Sequence, residues 1–287
     1  MTQGYDGRIG RVLGGRYELL SVLGSGGQSA VYRARDLRDG DEVAVKVLLP
    51  NTDPGSVERM YREAHAMSSL QGTAAVRVLH QVRDPDGTFA LVMELLHGCD
   101  LLEYLERREA QGLRMHLADM APLAEPLVAT LEKAHAHGIV HRDLKPANIW
   151  VIDPARGGGV RLLDFGFAKL VTAVPLTGMD DVAGTPTSIA PEVFMHGARA
   201  ADGRSDVYSL AVLFYRMLAG RVPFQADSLV ELLRTVTTAP RPSLHALRPD
   251  LPPIIDEWVK QALAVDRTHR FERVTAMWRA LSSCLGA

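Results

Sequence analysis

The run His141-Arg142-Asp143-Leu144-Lys145-Pro146-Ala147-Asn148 places an aspartate, a lysine and an asparagine at fixed offsets. In one loop these types supply a carboxylate for a hydroxyl proton, a cation for a phosphate and a neutral oxygen ligand for magnesium. Pro146 makes an ordinary helix surface a poor explanation, because an interior proline loses a hydrogen bond and clashes with the preceding turn. Asp164-Phe165-Gly166 follows a predicted hairpin and adds a second carboxylate and a glycine hinge. Upstream, Val43-Ala44-Val45-Lys46 ends an apolar strand on one lysine, and Glu63 offers it a partner carboxylate. Between two predicted strands lies Leu23-Gly24-Ser25-Gly26-Gly27-Gln28-Ser29-Ala30-Val31, whose small residues let backbone N–H groups approach phosphate oxygens. Taken alone, Lys46 reads equally as a snorkelling strand-edge residue and the glycines as a hairpin turn. A dinucleotide site would need a helix after those glycines, and a strand follows.

Positioning these groups falls to the surrounding elements. Tyr17–Leu23, Ala30–Asp36, Glu42–Leu48, Val76–Val82 and Phe89–Leu95 are predicted strands, separated by glycine- and Asp-rich turns. Val57, Met60, Ala64 and Met67 recur at helical spacing, which predicts a helix over Val57–Leu70. Beyond His97-Gly98 the pattern turns helical: Asp100–Arg108, a segment ending at His137, Asp206–Leu218, Leu229–Thr235, Ile254–Val265 and Val274–Leu285. Strands followed by helices predict a small β-rich lobe and a larger helical one. Pro122 and Pro126 fall within the segment ending at His137, where a kink or a restart at Pro126 is expected.

The composition narrows the function classes. Of 287 residues, 47% are hydrophobic and 23% charged, as in an ordinary folded protein. The formal net charge of −2 gives no global pull toward nucleic acid or an anionic membrane, and no nucleic-acid partner is expected. Two distant cysteines, Cys99 and Cys284, argue against a disulfide scaffold and fit a cytoplasmic setting. Met1–Gly15 carries no apolar core of the signal-peptide kind, and no run approaches the roughly 20 apolar residues of a membrane span.

With Gly184-Thr185-Pro186-Thr187-Ser188-Ile189-Ala190-Pro191-Glu192 added, five motifs stand in order, and the chain resembles the eukaryotic-like (Hanks-type) bacterial serine/threonine protein kinases from about Tyr17 to Leu281. The resemblance implies an α+β, bilobal fold, with a small antiparallel β lobe bearing one key helix and a larger, mainly helical lobe. It implies an extension over residues 1–16, a small lobe over 17–96 and a large lobe over 97–287, together one kinase domain. The implied reaction is ATP- and magnesium-dependent phosphoryl transfer to protein serine or threonine hydroxyls, with manganese as the alternative ion. Lys46 paired with Glu63 would steady the ATP phosphates, aided by Gly24, Gly26 and Gly27. Asp143 would accept the hydroxyl proton beside Lys145, while Asn148 and Asp164 hold the metal ions. Val31, Ala44, Met93, Glu94, Leu96 and Trp150 would surround adenine. Asp100 would meet the ribose, or cap the helix it opens, or do both.

In regulation, Arg142 would receive a phosphate on Thr177 or Thr172, and Thr185 would bond near Asp143 and Lys145. Such relatives commonly autophosphorylate and form homodimers through the small lobe. Asp206 would brace the loop containing Asp143, Arg270 would pair with Glu192, and His141 would stack with Phe165, Met67 and Val78 as core rather than as base. The other histidines, His135 and His137 among them, take surface or helix-end roles by default. Ser29 and Trp150 depart from the family pattern, and the alternative they support is a catalytically impaired pseudokinase acting as a scaffold. Against a small-molecule kinase stands the Gly184–Glu192 segment, which resembles a peptide-docking loop.

Overall fold

The computed structural model describes residues 6–26, 29–48, 55–165 and 187–286. It divides into two compact units, Met1–His97 and Gly98–Ala287.

In the first unit, strands β1 (Val12–Leu13), β2 (Tyr17–Ser25), β3 (Ser29–Asp36), β4 (Glu42–Leu48), β5 (Val78–Arg83) and β6 (Phe89–Glu94) form one sheet in the order β1-β2-β3-β4-β6-β5. Every pairing is antiparallel. Val43, Val45 and Val47 of β4 point to one face, where they join Leu13, Tyr17, Leu19, Tyr32, Ala34 and Val92 in a buried cluster. Burying each such aliphatic side chain contributes about 1.5–3 kcal/mol. The intervening Ala44 and Lys46 face the other way, on the face opposite that cluster. Helix α1 (Gly55–Ser69) buries Met60, Glu63, Ala64 and Met67 on one side. The two ends of the sheet meet through side chains. The Tyr17 hydroxyl lies 2.7 Å from His80 Nδ1, and Asp84 accepts from the Gly14 N–H at 2.6 Å and from Arg11 at 2.7 Å. The sheet is therefore curled, and the segment before Tyr17 is part of its closure.

The second unit opens with β7 (Gly98–Asp100), which pairs with β8 (Ile149–Ile152), itself paired with β9 (Val160–Leu162). Gly98 takes φ 137°, and a Cβ there would lie 2.0 Å from the Val151 carbonyl oxygen. Only glycine lets β7 come this close to its neighbour. Helices α2 (Leu101–Ala110), α3 (Leu117–Ala136), α4 (Pro191–His196), α5 (Gly203–Ala219), α6 (Leu229–Thr238), α7 (Leu244–Leu247), α8 (Ile255–Ala262) and α9 (Val274–Cys284) follow. Fourteen of the seventeen residues of α5 are buried, so this helix is the core around which α3, α8 and α9 pack. Asp202 and Ser205 cap its start, and Gly220 ends it in the left-handed conformation.

Two expectations need correction. α3 does not restart at Pro126; it runs unbroken through both prolines. Pro122 and Pro126 release the carbonyls of Ala118 and Pro122, both exposed residues that water can satisfy, while Leu123, Ala124, Leu127, Val128 and Leu131 stay packed on the other face. The predicted helix over Ile254–Val265 is shorter, ending at Ala262. Among the described residues, no helix is long and apolar enough to cross a membrane.

Candidate active site

The loop 141–148 is held by hydrogen bonds that follow from its residue types. Arg142 stands at φ 65°, a conformation costly for a non-glycine residue, and it is fixed by the buried Asp206 carboxylate. Asp206 accepts from the Arg142 N–H at 3.0 Å and from the His141 N–H at 2.8 Å. Beyond that turn, Pro146–Asn148 forms a single 3-10 turn that suits the fixed φ of Pro146. It swings Asn148 back, so that Asn148 Nδ2 donates to the Asp143 backbone carbonyl at 2.8 Å and to its carboxylate at 3.1 Å. Lys145 Nζ lies 3.2 Å from the same carboxylate oxygen. The aspartate, lysine and asparagine singled out in the sequence are therefore in mutual contact.

His141 is fully buried, and burial pushes its imidazole below the usual histidine range, so the ring is neutral. Its Nε2 donates to the Leu163 carbonyl at 3.0 Å, and its ring packs on Phe165 with centroids 4.8 Å apart. A ring so placed is core, as expected, and is not a base. Leu163 also donates its N–H to the Asn148 carbonyl at 2.8 Å, which ties the strand before Asp164 to the loop. Asp164 stands at φ 38°. Arg142 is half-buried, and its Nε has no partner among the described residues. Burial lowers its guanidinium from the ordinary arginine value, with Asp206 opposing.

In the first unit, Lys46 Nζ meets Glu63 Oε1 at 2.7 Å, both nearly buried. Cross-strand partners place Val31 beside Lys46 and Ala44 beside Met93, so these four share one face of the sheet, with Gly24 opposite Val31. Among the described residues, a Cβ at Gly24 would meet nothing within 4 Å, and one at Gly26 only the Ser29 carbonyl at 4.0 Å. Glu94 accepts from the Arg77 N–H at 2.8 Å, and Leu96 is half-buried after the strand.

Asp100 caps α2, accepting the Glu103 N–H at 2.9 Å. Its strand neighbour is Trp150, whose indole Nε1 is buried without a partner among the described residues. The expected structural pair is present too: Arg270 Nη1 and Nη2 meet Glu192 at 2.9 and 2.7 Å. Gly27, Gly166, Thr172, Thr177 and Thr185 lie outside the described residues. Sequence reasoning missed His135, which contacts Asp206 at 2.8 Å, and Gly98. Ala134 and Ala136, which flank His135, gave no periodic signal, because its role depends on a partner 71 residues away.

The family description "Protein kinase domain" matches residues 17–277. The chain belongs to the protein kinases. This kinase domain is 40% identical over 271 residues to the serine/threonine-protein kinase PknA of Mycobacterium tuberculosis, covering 92% of this chain and 60% of that protein. It is 33% identical over 271 residues to PrkC of Bacillus subtilis, covering 94% of this chain and 40% of that kinase. The kinase domain of Mycobacterium tuberculosis PknI superposes with a TM-score of 0.71 at 25% identity, covering 96% of this chain and 98% of the other. The kinase chain thus spans about half the length of the curated relatives it matches. The bilobal α+β kinase fold expected from the resemblance is the one observed.

Proposed function

We propose that this domain transfers the γ-phosphoryl group of ATP to serine or threonine hydroxyls of protein substrates, its own loop at Thr177 or Thr172 included. The observation that carries this is the contact of Asp143 with both Lys145 and Asn148. Asp143 is placed to orient a hydroxyl and accept its proton, with Lys145 beside it to meet the charge on the transferred group. Positioning and neutralisation do most of the work in this reaction, and a domain of this kind turns over at about 1–100 per second.

The residues fit a divalent ion. The Asn148 amide makes its contacts through Nδ2, which leaves Oδ1 as a neutral ligand oxygen; Asp164 supplies a carboxylate. Among the described residues, no three acidic, histidine or cysteine side chains form a metal cage. That suits magnesium, or manganese, shared with nucleotide phosphates rather than enclosed by protein. Bound there, the ion would neutralise charge on those phosphates.

Lys46, braced by Glu63, would steady the α- and β-phosphates. Among the described residues, Gly24 and Gly26 have no contact that excludes a side chain, which fits a smallness that serves what approaches from outside, here the phosphates, with Gly27 in the same role. Val31, Ala44, Met93, Glu94, Leu96 and Trp150 would receive adenine and Asp100 the ribose. Arg142, whose buried Nε has no partner among the described residues, would take a loop phosphate, and Thr185 would steady Asp143 and Lys145. Homodimerisation through the small lobe is part of this reading.

The test is incubation with Mg-ATP and a generic protein substrate, beside Asp143→Asn. Phosphate on serine or threonine with the parent alone supports the reading. ATP turnover without transfer to protein, or equal transfer by the variant, would overturn it.

A further inference from the structure

Residues 8–16 lie ahead of the stretch that matches the protein kinase family, yet they are built into the small unit. Arg11 Nη2 bridges two carboxylates of the turn between β5 and β6, Asp84 at 2.7 Å and Asp86 at 2.6 Å. Asp84 is buried, and its other oxygen accepts the Gly14 N–H at 2.6 Å. A buried carboxylate persists where such partners compensate its lost hydration, so the turn and the segment depend on each other.

Gly14 gives a second, independent observation. It stands at φ 56°, in the left-handed region, and a Cβ there would lie 2.7 Å from Val82 Cγ1. The segment is therefore seated directly on β5. Between these contacts Leu13 is buried in the cluster that holds Val43, Val45 and Val47 of β4. Val45 and Val47 flank Lys46 along that strand, so Leu13 supports from beneath the strand that presents the lysine.

What the segment grips is the base of β2. Val12 and Leu13 pair with Glu18 and Tyr17, and Leu19 accepts from the Gly10 N–H at 2.8 Å and donates to the Arg11 carbonyl at 2.9 Å. Beyond Leu19, only β3 pairs with β2 among the described residues. There the register slips twice, between Leu19 and Ser21 and between Val22 and Gly24. Irregularities of this kind bend and twist a strand. Gly24 and Gly26 thus stand at the far end of a bent strand with one neighbour, whose direction is set where the segment holds it.

We infer that residues 8–14 are a strap that aims the glycine-rich turn, with Arg11 as a positioning residue for nucleotide binding: by fastening the strap to Asp84 and Asp86 it fixes the base of β2. Arg11 acts through that strand, not by contact with the nucleotide. The inference rests on the phosphotransfer reading in taking ATP as the ligand of Gly24 and Gly26, and the fastening itself stands on the hydrogen bonds alone.

The test compares the parent with Arg11→Ala. Amide hydrogen exchange at Gly10 and Leu19 reads the strap, the calorimetric Kd for Mg-ATP reads the site, and kcat at saturating ATP reads the reaction. In Arg11→Ala both amides should exchange faster and Kd should rise about fivefold, while kcat stays within about twofold. Parent-like exchange would overturn the inference. Faster exchange with an unchanged Kd would overturn it too, as would a fall in kcat at unchanged Kd, since the strap would then act on something other than the nucleotide. Asp86→Asn weakens the same fastening from an exposed position, and it should move exchange and Kd in the same direction by less. Should Arg11→Ala fail to fold, Asp86→Asn decides alone, and parent-like exchange and Kd there overturn the inference. A parent that binds Mg-ATP but transfers no phosphate would sink the phosphotransfer reading, while the Kd comparison would still decide the strap; a parent that binds none would overturn both.

Discussion

Arg270 grips Glu192 through two parallel hydrogen bonds in a part of the helical unit almost closed to water. Ser205 adds a third contact to the carboxylate at 2.6 Å, and Arg270 also donates to the carbonyls of Ala264, Val265 and Arg204. Every donor on the guanidinium is used, which fits arginine and no other residue. Glu192 begins α4, Ser205 begins α5, and Arg270 precedes α9, so one charge pair fastens three helices.

Removing one partner of such a pair leaves a buried charge. Arg270→Leu should cost about 3–5 kcal/mol in urea unfolding, more than Glu192→Gln, which leaves the guanidinium its backbone carbonyl acceptors at Ala264, Arg204 and Val265. Equal small losses would show that the pair is open to solvent.

The same pair sets an acid limit. Burial opposes ionisation of Glu192, but Arg270 and Ser205 outweigh it and hold the carboxyl below the usual glutamate range. A depressed folded value means that this stabilisation is complete above the ordinary glutamate pKa and is lost as the pH falls through it toward the folded value. Stability of the parent should drop over that acid interval, and Glu192→Gln should show a shallower drop there.

Lys46 and Glu63 should behave asymmetrically. Lys46→Met is expected to lower kcat/KM by about 100-fold or more, since it removes the charge proposed to meet the phosphates. Glu63→Gln should lower it less, because the ammonium remains but loses its brace. Steady-state kinetics on both variants decides this, and an unaffected Lys46→Met would remove Lys46 from the reaction.

The chain has three tryptophans, and two are committed to the helical core. Trp258 donates its indole N–H to the Met277 carbonyl at 3.0 Å, and Trp278 packs on Phe214. Trp150 is only half-buried, and its N–H has no partner among the described residues. ATP should therefore change the intrinsic fluorescence of the parent and leave that of Trp150→Leu unchanged. A response that survives in Trp150→Leu would place the nucleotide away from this residue.

Pro122 is exposed and contributes nothing to the core, yet it costs α3 a hydrogen bond. Pro122→Ala should raise stability by about 1–3 kcal/mol, read from thermal or urea unfolding.

Much of this was legible in the sequence. Strand alternation around Val43–Val47 and the helical spacing of Met60, Ala64 and Met67 marked elements whose partners lie close along the chain. The Asp143, Lys145 and Asn148 contacts were legible because six consecutive residues of one loop hold them all. What escaped depended on distant partners or on many small terms. β7 is three residues long and is a strand only because β8 accepts it. His135 acts through Asp206, and nothing near it in the chain says so. A restart at Pro126 does not occur, because propensity counts the lost bonds but not the packing of Leu123, Leu127 and Leu131 that outweighs them.

Gly98 is open to solvent, and nevertheless the Val151 carbonyl leaves no room there for even one carbon atom. Every single-base missense change in a glycine codon adds at least that carbon. In a library of all point variants, position 98 should therefore behave as a gap in an otherwise tolerant surface. A lineage of these genes would be expected to record that as silent changes at its codon and no others.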